Sequence, residues 1–263
     1  MSDINPYQPP ESRAAAATTP AGADNFIAGG RAVDAGRGWE WIASAFTLFK
    51  KQPGNWILVL IVFLVCLILI TLVPVIGGLA NMLLMQVFMA GIMLGCRALD
   101  NGQDLEVAHV FAGFKQNTSN LMVLGLLALA GWVVVLIPVL LIMGGGGVMA
   151  MMRGHDAMAM GIATLGLSFV LAMLVGLALS VPIYMALWFA PSLVVFHNMA
   201  PVDAMKASFT GCLKNLVPFL LYGVVLLVLC LFAVVTFGLG YLVLIPVILA
   251  SIYTAYRDIF FAG

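Results

Sequence analysis

Charge is scarce in this sequence: 8% of its 263 residues are Asp, Glu, Lys or Arg, where a soluble domain carries about a quarter. With 63% hydrophobic residues, the chain has too little polar surface to coat a water-soluble globule. A basic excess is missing too. Eleven basic side chains balance eleven acidic ones, so there is no field to gather nucleic acid, and no nucleic-acid partner is expected. The four cysteines, Cys66, Cys96, Cys212 and Cys230, show neither C-x-x-C nor disulfide-like spacing and read as small apolar fillers. The N-terminal stretch lacks a short apolar signal-peptide core, so the first span is expected to direct insertion and the tail to be retained.

What the chain does have is apolar runs of membrane length. Crossing ~30 Å of hydrocarbon takes about 20 residues. Six stretches qualify, at about 55–73, 76–96, 121–143, 161–187, 216–237 and 240–256, and none holds a charged residue in its interior. They predict an all-α integral membrane protein, a six-helix transmembrane bundle. The fourth tract continues to Val195 past Pro182 and Pro191; one kinked helix whose tail follows the interface is expected rather than two spans. Residues 1–30, rich in Pro, Ala and small polar side chains, predict a disordered tail and leave 31–263 as the membrane domain.

Charge asymmetry then sets sidedness. With six spans, Arg13, Arg31, Arg37, Lys50, Lys51, Arg97, Lys115, Lys206, Lys214 and Arg257 fall on one side and Arg153 on the other. The positive-inside rule places both termini in the cytoplasm.

Three short amphipathic helices are expected on that side, each leading into a pair of spans. In 39–51, Trp39, Ile42, Phe46 and Phe49 oppose Glu40, Ser44, Thr47 and Lys51. In 105–115, Val107, Val110, Phe111 and Phe114 oppose Glu106, His109 and Lys115, with Asp104 as N-cap. In 201–214, Val202, Met205, Phe209 and Cys212 oppose Asp203, Lys206, Thr210 and Lys214, with Pro201 at the start. Phe46-x-x-Phe49-Lys50 aligns with Phe111-x-x-Phe114-Lys115, and Phe209-x-x-x-Leu213-Lys214 nearly does, suggesting three units of short helix plus hairpin. Trp39, Trp41, Lys50, Lys51, Lys115, Lys206, Lys214 and Arg257 are the expected interfacial lipid anchors.

The stretch RAVDAGRGWEWIASAFTLFKKQPGNW resembles the opening of an uncharacterised family of multi-pass proteobacterial inner-membrane proteins. APSLVVFHNMAPVDAMKASFTGCLKN is similar, more loosely, to a repeat in the membrane domain attached to some bacterial glycerophosphodiester phosphodiesterases. The resemblance implies a bacterial inner-membrane location and a helical bundle with interfacial helices. It carries over no functional residue, because the phosphodiesterase chemistry belongs to a separate soluble domain with no counterpart here.

No residue set amounts to a catalytic site, and neither enzymatic activity nor a cofactor is expected. Mid-span ionisable groups, the usual mark of coupled transport, are absent. Asn81, Gln86, Ser168, Ser180, Ser251, Tyr253 and Thr254 read as interhelical hydrogen-bonding groups. Thioethers favour Cu(I), so Met149, Met151, Met152, Met158 and Met160 around His155 form a candidate copper-binding loop, against the plainer reading of methionine as apolar filler. The function expected is a non-enzymatic scaffold or regulator that organises lipid or a partner protein through its cytoplasmic short helices. The alternative is a transporter or channel for a small or lipidic solute. Expected partners are the lipid bilayer and a partner protein or a second copy of the chain.

Overall fold

The computed structural model describes residues 25–74, 76–152 and 158–262; for helical residues 146–152 and 158–164 only the backbone is described. The regular structure among the described residues is helical: α1 (Arg37–Lys51), α2 (Pro53–Thr71), α3 (Ile76–Asp100), a 3-10 helix (Val107–Phe114), α4 (Thr118–Met152), α5 (Met158–Trp188), α6 (Ala190–His197), α7 (Pro201–Lys214), α8 (Leu216–Val235) and α9 (Tyr241–Phe260). Six helical segments are long and apolar enough to cross a membrane. At 1.5 Å per residue, the 19 residues of α2 span about 28 Å, close to the hydrocarbon thickness.

Local chemistry sets the breaks. Pro53 and Pro201 stand at helix starts, where a missing N–H costs nothing. Asn117 and Asn198 take the left-handed conformation just past the 3-10 helix and α6, with φ of 54° and 52°, a region asparagine tolerates because its short side chain bonds locally. Phe237 and Gly238 turn α8 into α9 with φ of 53° and 82°.

The three short helices are arranged in a ring. The 3-10 helix packs on α3, α7 on α5 and α1 on α9, so each rests on the second span of the hairpin before it, and the first rests on the last. A carboxamide follows each short helix and bonds the backbone just ahead of the next. Gln52 Oε1 accepts the Leu105 N–H at 2.8 Å. Asn117 Nδ2 donates to the Val194 carbonyl at 3.0 Å and to Asn198 Oδ1 at 2.6 Å. Asn215 Oδ1 accepts the Val33 N–H at 2.8 Å, and its Nδ2 donates to the Arg31 carbonyl at 2.7 Å. Lys51 and Lys214 reinforce two of these joints by donating to Leu99 and to Gly29 and Gly30 carbonyls. Every described Asp, Glu, Lys and Arg lies in these short helices, their approaches, or the last turns of α3 and α9, which together make one charged end of the bundle.

Several expectations are corrected. Asn25–Gly30, assigned to the tail, pack on the bundle: Phe26 bridges Phe261, Ile27 N–H donates to the Phe260 carbonyl at 2.9 Å, and the Phe26 ring stacks 3.7 Å from His197. The rest of the predicted tail, residues 1–24, lies outside the described residues. The second short helix is of the 3-10 type, and its N-cap is Glu106, boxed with His109, whereas Asp104 accepts from Gln52. The end of the fourth tract does not follow the interface. Helix α6 breaks from α5 at Phe189 and turns into the core, with Ala190 through Val195 all buried against α3 and α7.

On α7 the buried face is the small one, Ala204, Ala207, Ser208, Gly211 and Cys212, while Val202 is exposed. Small side chains let α7 approach α5 closely enough for Ser208 Oγ to donate to the Met185 carbonyl at 2.7 Å and accept the Phe189 N–H at 2.9 Å. A Cβ on Gly113 would likewise strike the Val87 carbonyl, so glycine sets how closely the 3-10 helix meets α3.

Candidate functional site

Helix α1 lies across α8 and α9 at the charged end. Gly38 sits so close to the Pro218 carbonyl that a Cβ would collide with it, and the Trp41 carbonyl accepts from Thr254 Oγ1 at 2.8 Å. The helix dipole suits this placement, with Glu40 in the first turn and Lys50 and Lys51 in the last. Trp41, Ile42, Ala45, Leu48 and Phe49 face the core, and the remaining surfaces of α1 border two recesses of opposite character.

The first is a cleft of about 510 Å³ between α1, the end of α9 and Asp100. Its wall holds Asp258, whose side chain is 5% exposed. Arg37 donates to both carboxylate oxygens, Nη2 to Oδ1 at 2.6 Å and Nε to Oδ2 at 2.7 Å. Arg31 Nη2 adds a bond at 3.1 Å and Trp41 Nε1 another at 2.8 Å. The hydrogen bond to Asp258 holds the Arg37 guanidinium above its ordinary pKa, outweighing the opposing effect of burial. Nearby, Tyr253 donates to Asp100 Oδ2 at 3.0 Å and Arg257 lies 3.6 Å from the same oxygen. This network clamps the segment ahead of α1 onto α9. With its charges largely paired among themselves, it reads as a structural latch.

The second recess is an apolar groove of about 620 Å³ on the opposite side of α1. Trp39, Ile42 and Phe46 roof it; Phe232 and Ala233 of α8 and Val243 and Val247 of α9 form its walls. Its α9 residues come from the half of that helix away from Arg257, so the groove runs from the charged end into the apolar depth of the bundle. Thr236 and Gly240 close the bottom, where α8 turns into α9. Lys50 stands at the rim, with Nζ 5.2 Å from the Phe46 ring centroid. A third recess, of about 360 Å³, lies deeper, lined by Met85, Gln86, Met89, Trp132 and Trp188.

The expected anchors divide accordingly. Trp39 is 53% exposed and roofs the groove, whereas Trp41 is 2% exposed and serves Asp258. Trp41 is therefore a core donor rather than a lipid anchor: its indole N–H is drawn inward to a buried carboxylate in the last turn of α9. Lys50, Lys115 and Lys206 are exposed, Lys206 being 3.9 Å from Asp203. Lys51 and Lys214 are exposed but committed to backbone carbonyls, and Arg257 lies over Phe261, 5.3 Å from its centroid. Met149, Met151, Met152, Met158 and Met160 have undescribed side chains, and His155 lies outside the described residues. Among the described residues no group of three His, Cys, Asp or Glu could hold a metal ion. Burial pushes the Cys212 thiol up to about 12, away from thiolate chemistry.

Of the polar span residues, Asn81 bonds α2 through the Leu67 carbonyl and Thr71. Ser251 meets Tyr222 of α8 at 2.7 Å, and Tyr253 and Thr254 reach α3 and α1. Ser180 bonds a carbonyl of its own helix. The carboxamides were the sequence signal passed over: Gln52, Asn117 and Asn215 each stand six residues after the phenylalanines Phe46, Phe111 and Phe209.

These features define an all-α, multi-pass membrane protein with one charged end and an apolar groove beside α1. The chain is 31% identical over 213 residues to a probable inner membrane protein of Burkholderia thailandensis, across 79% of this chain and 78% of that one. It belongs to that family of bacterial inner-membrane proteins. No protein-family model matches the sequence, and no solved structure matches it.

Proposed function

We propose that the protein is a non-enzymatic inner-membrane scaffold that binds and organises lipid at its charged end, with that end in the cytoplasm. The observation that carries this reading is the groove under α1: apolar throughout its depth, contiguous with the bilayer-facing surfaces of α8 and α9, and bordered by an exposed lysine. An apolar recess that meets the bilayer is filled by lipid at equilibrium, and a lysine at headgroup level favours an anionic one by about 1 kcal/mol. The gathering of Arg31, Arg37, Lys50, Lys51, Arg97, Lys115, Lys206, Lys214 and Arg257 at one end supports this sidedness. A cysteine placed at Ala262 is expected to resist an impermeant maleimide in intact cells; ready labelling would reverse the orientation.

The lipid reading is tested by extracting the protein from native membranes in mild detergent and analysing what comes with it. Enrichment of anionic phospholipid several-fold over the bulk membrane is expected. Bulk composition would overturn the reading, and a stoichiometric protein without lipid enrichment would move the scaffold role to a protein partner. Passage of a small or lipidic solute, the second reading, draws on the deeper recess around Gln86 and Trp132. Transbilayer movement of a labelled phospholipid in reconstituted vesicles would favour it, and a rate equal to that of protein-free vesicles would remove it.

A further inference from the structure

We propose that the groove beneath α1 is a discrete site for one acyl chain of an anionic phospholipid, with the lipid phosphate meeting Lys50. The proposal rests on the lipid reading above and narrows it to one position and one class of ligand.

The chemistry of the wall selects the occupant. Two hydroxyls border the groove, and both already serve the backbone: Thr47 Oγ1 donates to the Ala43 carbonyl at 3.1 Å, and Thr236 Oγ1 donates to the Ala233 carbonyl at 2.8 Å while accepting the Gly240 N–H at 2.9 Å. Beneath its rim, where Trp39 and Lys50 stand, the groove is thus lined by apolar side chains and by hydroxyls already bonded to the backbone. A polar solute or an irregular peptide would leave its own donors and acceptors unmet there, whereas a hydrocarbon chain asks for none.

The roof disfavours the other apolar candidate, a transmembrane helix of a partner: a helix is a straight rod about 10 Å across, and α1 over the groove stops such a rod from continuing to the charged end. A flexible chain can bend in from the side beneath Trp39 and Phe46. From Gly240 to Val247 the α9 wall is about 10 Å long, room for the inner part of an acyl chain that enters from the charged end.

Charge fixes the headgroup. Among the described residues Lys50 has no carboxylate within ion-pair distance, unlike Arg31, Arg37, Lys206 and Arg257. Its ammonium is held over the Phe46 ring that roofs the groove. An ammonium beside the mouth of an apolar slot complements a phosphate attached to a chain inside it.

The test uses the full chain reconstituted in phosphatidylcholine vesicles containing a minor fraction of phosphatidylglycerol, re-extracted in mild detergent, with retained lipid counted by native mass spectrometry. One phosphatidylglycerol per protein is expected on the wild type. Lys50→Gln should lower the preference for phosphatidylglycerol over phosphatidylcholine about fivefold, the equivalent of the ~1 kcal/mol a lysine contributes near an anionic surface. Ala43→Trp, at an exposed position bordering the groove, should abolish the retained lipid, and Ala43→Ser, which leaves the space open, should keep it. Thermal midpoints matching the wild type establish that both variants are folded. Wild-type retention that Ala43→Trp leaves intact would overturn the site while the broader lipid reading stands. Retention of phosphatidylcholine and phosphatidylglycerol in their bulk ratio would overturn both.

Discussion

Replacing Asp258 with Asn should lower stability by on the order of 2–3 kcal/mol and loosen the segment ahead of α1. Removing one partner of a buried charge pair costs about 3–5 kcal/mol because the other is left uncompensated. Here the Arg31 and Arg37 side chains are 36% and 39% exposed, so water recovers part of that loss. The carboxylate itself is nearly enclosed, and it accepts from Arg31, Arg37 and Trp41 together. Asparagine retains one oxygen for Trp41 but turns an amide N–H₂ towards a guanidinium, donor against donor. The antiparallel contact of Phe26 and Ile27 with Phe260 and Phe261 adjoins this latch and is expected to loosen with it. Asp258→Asn should therefore both lower the thermal midpoint in detergent and expose the chain to trypsin at Arg31. A midpoint equal to that of the wild type, with Arg31 still protected, would show that the strap is held by its backbone bonds and by Phe26 stacking alone.

The six apolar helices were legible because length and lack of charge are local properties, and the breaks at Pro53 and Pro201 are chemical necessities of a residue without an N–H. What escaped reading was set at long range. Trp39 and Trp41 look alike as headgroup-level aromatics; Asp258, 217 positions further on, draws one of them inside. Pro191 signals a break after α5, but the direction taken by α6 depends on cavities left by α3 and α7. Hydrophobicity names the large residues of α7 as its buried face, whereas a helix that must approach another closely buries its small ones. The groove was out of reach for the same reason, since its roof and walls come from segments about 190 residues apart in a chain where neither end announces the other.

Asn215→Ala should be the costliest of the three carboxamide replacements, at about 3 kcal/mol. Asn215 is fully buried and satisfies three backbone groups at once: the Val33 N–H, the Arg31 carbonyl and the Gly211 carbonyl, the last at 2.8 Å. Alanine leaves the first two without partners at a joint whose own carboxamide is fully buried. Asn215→Asp should fare no better, since it keeps the bond from Val33 but sets an anion against two carbonyl oxygens. Asn117→Ala loses the bonds to Val194 and Asn198 and also forces a residue with a bare Cβ into the left-handed region. Gln52 is half-buried, and its bonds to Leu105 and Asp104 can be replaced by water, so Gln52→Ala should cost about 1 kcal/mol. The order Asn215, then Asn117, then Gln52 is checked by thermal unfolding in detergent. It follows from the burial of Asn215 and the left-handed backbone of Asn117, because the three residues otherwise do the same work at successive joints of one ring. Equal losses at all three would mean that ring closure, and not the desolvation of each joint, sets the stability of the charged end. An unchanged midpoint for Asn215→Ala would remove the carboxamides from the account of how the short helices are held.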